Sequence, residues 1–148
     1  MRHRIAALAA TTLIIAGGSF AATATSASAA PAPPGGGSWD HTWTTSDSAP
    51  HGGTIYIKEN GDVVALCDTH ADGMTPGAAI YYEDPNLSYY PLAYSLTASG
   101  GEGSCATSTA SMGGNHNLPE GREIEVVISL CNRDGCQYFN TNFYLNDH

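Results

Sequence analysis

Basic side chains are scarce in this chain: five lysines and arginines stand against 14 aspartates and glutamates, a formal net charge of −9. Arg2 and Arg4 fall in the first 29 residues. From Ala30 onward only Lys58, Arg122 and Arg133 remain against the same 14 acids, which leaves −11. A surface of that sign repels phosphate backbones and the sequence carries no basic stripe, so nucleic acid is not expected as a partner. Other absences narrow the chemistry. There is no G-x-S-x-G nucleophile elbow, no His-Glu-x-x-His pair, and no glycine-rich loop followed by Lys-Ser or Lys-Thr. Neighbouring carboxylates such as Glu83-Asp84 and Glu123/Glu125 read as solvated faces rather than an acid/base pair. No enzyme and no cofactor are expected.

Long apolar runs are confined to the start. Arg2-His3-Arg4 is basic, Ile5 to Phe20 is apolar or small, and Ala27-Ser28-Ala29 offers a small-x-small cleavage site. Residues 1–29 therefore read as a signal peptide and the protein as secreted, without a stable membrane anchor. Gly17-Gly18 and the lack of a basic stop-transfer flank count against a spanning helix. Residues 30–52 read as a Pro/Gly/Ser-rich linker (PAPPGGGS) and N-terminal segment carrying Trp39 and Trp43, expected to dock on the domain. Residues 53–148 read as one β domain.

Cysteine is limited to four residues, all in the exported part, and these read as two disulfides. A zinc site is disfavoured because only one C-x4-C pair is present. Four cysteines allow three connectivities, and the C-terminal pattern selects one. Ile124, Val126, Ile128 and Leu130 alternate with Glu123, Glu125, Val127 and Ser129, as in a half-buried strand. The loop Asn132-Arg133-Asp134-Gly135 follows. If Cys131 pairs with Cys136, Ile128 faces Phe139 and Ile124 faces Phe143, giving one wholly apolar face. Cys67–Cys105 follows by exclusion.

A second hairpin is expected over Gly53 to Asp68, turning at Asn60-Gly61 and setting Ile57 opposite Val64 and Ile55 opposite Leu66. Its return strand is apolar on both faces and should lie inside a sheet. Ala78 to Tyr82, Tyr89 to Ala98 and Ser104 to Ser108 supply further strands, and Met112 to Gly121 a loop. About seven short strands and no capped helical segment after residue 29 point to an antiparallel β-sandwich.

Three constellations bear on function. Tyr81, Tyr82, Tyr89, Tyr90 and Tyr94 cluster around an acidic proline turn. Neighbours on a strand point to opposite faces, so one tyrosine of each pair can face outward and bind an extracellular glycan or protein. Asp68-Thr69-His70-Ala71-Asp72-Gly73 carries the start of a calcium-loop spacing, with Asp68 and Asp72 as candidate ligands. Position 3 is His, however, and position 12 is Ala79 where that loop needs Glu, so a tight Asp turn accounts for the same residues. A hydrolase built on His70, Asp72 and His116 would require those side chains to converge.

The run Gly61 to Gly73 (GDVVALCDTHADG), with Gly103-Ser104-Cys105, Glu120-Gly121 and the Cys131/Cys136 pair, resembles small secreted two-disulfide β proteins of Streptomyces-type actinobacteria. Leu66 stands where Val is usual. The resemblance covers most of Gly53 to Leu145 and implies a fold and a compartment, since that group has no assigned activity. The chain is also similar in size, acidity and C-x4-C pair to the apoproteins of enediyne antibiotics, which would imply small-molecule carriage. Their other bridge closes a much shorter loop. The subtilisin-inhibitor-like proteins share export and two disulfides, but no matching reactive-site loop is present.

Overall fold

The computed structural model describes residues 33–148; the signal-peptide reading of 1–29 lies outside the described residues. Eight strands, β1 (His41–Thr44), β2 (Gly53–Lys58), β3 (Val63–Asp68), β4 (Thr75–Tyr82), β5 (Leu92–Thr97), β6 (Cys105–Ser108), β7 (Arg122–Asn132) and β8 (Gly135–Asn146), are joined by turns. They form two antiparallel four-stranded sheets, β1-β2-β3-β6 (sheet A) and β5-β4-β7-β8 (sheet B). Both disulfides are present, Cys67–Cys105 and Cys131–Cys136, each joining residues directly opposite in neighbouring strands. No helix among the described residues is long and apolar enough to cross a membrane.

Alternation explains the core. Ile55, Ile57, Val64 and Leu66 from sheet A meet Ile80, Ile124, Val126 and Ile128 from sheet B, all fully buried. Each such side chain contributes roughly 1.5–3 kcal/mol on burial. The β2–β3 register is the expected one, Ile57 opposite Val64 and Ile55 opposite Leu66. The apolar second face of β3 is also accounted for: Ala65 and Cys67 lie with Tyr56 under Trp39 on the outside of sheet A. Trp43 packs against the main core, and its strand β1, from the segment read as N-terminal, pairs with β2. This strand raises the count from the expected seven to eight.

The C-terminal hairpin differs from its expected register. Ile128 pairs with Asn140 and Ile124 with Tyr144, not with Phe139 and Phe143. The cause is a β-bulge opposite Ser129, where Tyr138 takes a left-handed φ of 56° and β8 gains one residue on β7. Beyond the bulge every β8 side chain changes face. Asn140, Asn142, Tyr144 and Asn146 turn inward, and Phe139, Phe143 and Leu145 turn outward, each at least half exposed.

One buried carboxylate ties the far corner together. Asp62, in the β2–β3 turn and 2 % exposed, accepts a 2.9 Å bond from the Leu118 amide and a 3.2 Å bond from Asn146 Nδ2. A sheet A turn, the 109–121 loop and the end of β8 thus meet on a single side chain. Burial pushes its carboxyl above the usual 3.8, against the lowering effect of both hydrogen bonds. In the window between 3.8 and the raised value the folded chain holds a proton that the unfolded chain has released. Through that window this group makes stability fall as pH rises and grow as pH drops. Asp62→Ala should cost about 2 kcal/mol or more by leaving the Leu118 amide and the Asn146 side chain without their acceptor. The deficit should widen as pH is lowered through the window; urea melts of both proteins at several pH values would show it, and a deficit independent of pH would refute the linkage.

Candidate binding face

The outer surface of sheet B is built by the alternation that fills the core. On β4, Ala78 and Ile80 point inward, so Tyr81 points outward. On β7, Ile124 and Val126 are buried, which leaves Glu123, Glu125 and Val127 outside. Register carries this across the sheet: Leu92, Tyr81, Glu125 and Phe143 form one cross-strand row, and Glu123 faces Leu145 in the next. Leu92 on one edge strand and Phe143 and Leu145 on the other are 49 %, 50 % and 55 % exposed, open apolar side chains at both edges of the face.

Tyr90 closes this surface from the loop before β5. Its hydroxyl donates a 2.6 Å bond to Glu123 Oε1. Its ring meets Phe143 edge-on, with centroids 6.3 Å apart and planes at 72°. The Glu123 carboxylate, which stabilises the protonated phenol, pushes the Tyr90 pKa up to about 12, with smaller contributions from desolvation and the charges of Glu83 and Glu125. The face therefore combines apolar rings with three carboxylates.

Of the five tyrosines singled out in the sequence, Tyr81 and Tyr90 belong to this face. Tyr89, 63 % exposed, lines a cleft with Glu83, Pro85 and Leu87 beside it. Tyr82 packs on the core, and Tyr94 is buried, stacked 4.6 Å from the His116 ring. Desolvation pushes the Tyr94 phenol up to about 12, opposed by the nearby Ser108 hydroxyl. The expectation of one inward and one outward tyrosine thus describes Tyr81-Tyr82. Sequence reasoning missed Phe143 and Leu145 because the phase of β8 depends on the bulge at Tyr138, and it missed Leu92, which opens β5 opposite Tyr81, because the expected strand begins at Tyr89.

The Asp68–Gly73 segment is a pair of Asp-anchored turns. Asp68 Oδ1 accepts from the His70 amide at 3.3 Å, and Asp72 Oδ1 accepts from the Met74 amide at 2.7 Å. Strand β4 begins at Thr75, so Ala79 lies mid-strand, opposite Val127. Asp68 is 3 % exposed and its pKa is raised, by burial first and then by the charges of Asp72 and Glu102, while the His70 amide and the His70 charge act in the opposite sense. His70 and Asp72 share a cleft with Asp47, Pro50, Leu130 and Tyr138. His116 is elsewhere: its Nδ1 lies 2.8 Å from the hydroxyl of Ser108, which pairs with Val64. Val64 and Asp68 are about 13 Å apart along β3 at the usual rise per residue, so the three residues of the hydrolase reading occupy opposite ends of that strand. Ser108 itself is fully buried.

No family model, curated protein or solved structure matches the chain.

The Tyr90–Glu123 bond has a direct optical readout. Absorbance titration of wild type against Tyr90→Phe should isolate a phenol that ionises near 12. Glu123→Gln, which removes the charge but keeps an acceptor, should move it down towards 10. An unchanged titration in Glu123→Gln would refute the coupling.

Proposed function

We propose that this is a secreted, non-catalytic binding module that docks a protein or peptide on the outer face of sheet B. The observation that carries the reading is the continuous row Leu92–Tyr81–Glu125–Phe143, closed by Tyr90 on Glu123. Such a face matches a partner presenting apolar side chains ringed by lysine or arginine. Aromatic rings supply rigid contact area at low entropic cost, and Glu83, Glu123 and Glu125 supply complementary charge. Export is supported by the basic–apolar–small pattern of residues 1–29, by the two disulfides and by the resemblance to secreted actinobacterial proteins.

A glycan is the second reading, favoured by the exposed Tyr89 beside the acidic turn. The carboxylates beside exposed Leu92, Phe143 and Leu145 favour the protein, because they match a partner's basic and apolar side chains. Carriage of a small apolar molecule between the sheets has less support. The inward side chains Ile55, Leu66, Ile80, Val126 and Ile128 are all fully buried against one another.

Amide chemical-shift mapping provides the test. A Lys/Arg-rich amphipathic peptide should shift residues around Tyr81, Tyr90, Glu125 and Phe143, with affinity that falls as salt is raised. Phe143→Ser should weaken it by about tenfold or more, as expected for loss of a central aromatic contact. Shifts on the same face with soluble oligosaccharides alone would transfer the reading to a glycan. A face silent to both would overturn it.

A further inference from the structure

At the corner where β8 ends, four ionisable side chains converge with no lysine or arginine among them. Glu59, in the turn after β2, is 9 % exposed. Its backbone is fixed at both ends: its amide donates 2.9 Å to Asp40 Oδ2, and its carbonyl accepts 2.9 Å from the Asp62 amide. The two carboxylate oxygens have different surroundings. Oε1 lies 2.7 Å from His41 Nε2. Oε2 takes no hydrogen bond among the described residues and faces His148 Nε2 across 3.9 Å. His148 Nε2 in turn lies 3.5 Å from Asp147 Oδ1. One ligand atom from each of Glu59, Asp147 and His148 falls within 4.8 Å of the other two.

We propose that Glu59, Asp147 and His148 form a site for a divalent transition-metal ion, of which Zn2+ is the expected occupant. Ligand bonds of about 2.1 Å in a tetrahedron set the ligand atoms about 3.4 Å apart, close to the two separations found here. An imidazole among carboxylates selects zinc, copper or nickel over the hard cations calcium and magnesium, which take oxygen ligands. The remaining position is open to water. His41 is the positioning residue: its ring is stacked 5.1 Å from Trp43 and lies 4.9 Å from Tyr144, and it holds Oε1 so that Oε2 is turned towards the site. The other two ligands follow Asn146, which is fully buried and hydrogen-bonded to Asp62, so the backbone that leads to them is fixed. The site is separate from the outer face of sheet B and does not depend on the proposed function.

Isothermal titration of the oxidised, tag-free chain with ZnCl2, and separately with CaCl2, tests this. One equivalent of Zn2+ should bind and raise the melting temperature, with no effect of Ca2+ at the same concentration. His148→Ala, at an exposed position, should preserve the fold and raise the Zn2+ dissociation constant at least tenfold; Glu59→Gln should do the same. His41→Gln should weaken binding by about ten- to a hundredfold, in the range of lost supporting hydrogen bonds. His70→Ala should leave it unchanged. Absence of stoichiometric Zn2+ binding, or binding that survives both His148→Ala and Glu59→Gln in folded protein, would overturn the proposal.

Discussion

Between the Cys131–Cys136 bridge and the Ile128–Asn140 pair, β8 carries one more residue than β7, and the phase of the whole outgoing strand follows from it. Tyr138 absorbs the surplus in a left-handed conformation. Without the bulge, Phe139, Phe143 and Leu145 would point at the core and four polar-ended side chains would point at solvent. With it, Asn140 reaches the Thr44 carbonyl at 2.7 Å, Tyr144 packs beside Trp43 and His41, and Asn146 reaches Asp62. β8 is an edge strand of sheet B, and inward Asn140 bonds the Thr44 carbonyl at the end of β1, which an apolar side chain there would leave without that donor.

The same constraint produces the two surfaces of functional interest. Outward, it places Phe143 where Tyr90 can meet it and where Glu125 lies opposite. Inward, it fixes Asn146 and so leads Asp147 and His148 towards Glu59. An acidic protein with few bases has little with which to neutralise converging carboxylates. At this corner, among the described residues, the ion pairs within 4.0 Å are made by histidine. Imidazole nitrogens and carboxylate oxygens are both metal donors, whereas a lysine at this corner would offer only a competing charge.

Period-2 patterning made the sheet architecture legible in the sequence. Asn60-Gly61 set the β2–β3 register correctly, and the C-terminal cysteines gave both bridges. Those signals are local, and the structure obeys them. The strand at His41–Thr44 was harder to read, since four residues between polar stretches carry little periodicity and gain their place by pairing with β2 and burying Trp43. The bulge was illegible for a different reason. Phe139, Phe143 and Leu145 match the apolar phase of β7, and nothing in composition says that asparagines would win the inward positions. The advantage of Asn140 and Asn146 lies in acceptors supplied by Thr44, Leu118 and Asp62, residues distant in sequence.

The outer face of sheet B shows how such an error propagates. The tyrosine doublets drew attention to this face, and of their side chains Tyr81 points outward and Tyr90 bonds outward Glu123. A surface assembled by cross-strand register, however, is only as readable as its least certain strand. Once β8 is shifted by one residue, the partners of Tyr90 and Glu125 change from polar side chains to Phe143. A scattered pair of tyrosines then becomes a face on which exposed apolar side chains alternate with carboxylates. The apolar area costs solubility unless it is covered, while the surrounding negative charge opposes pairing of one copy with another through the same patch. A partner of opposite charge would relieve both penalties at once, which is why the proposed partner is basic and not a second copy of the chain.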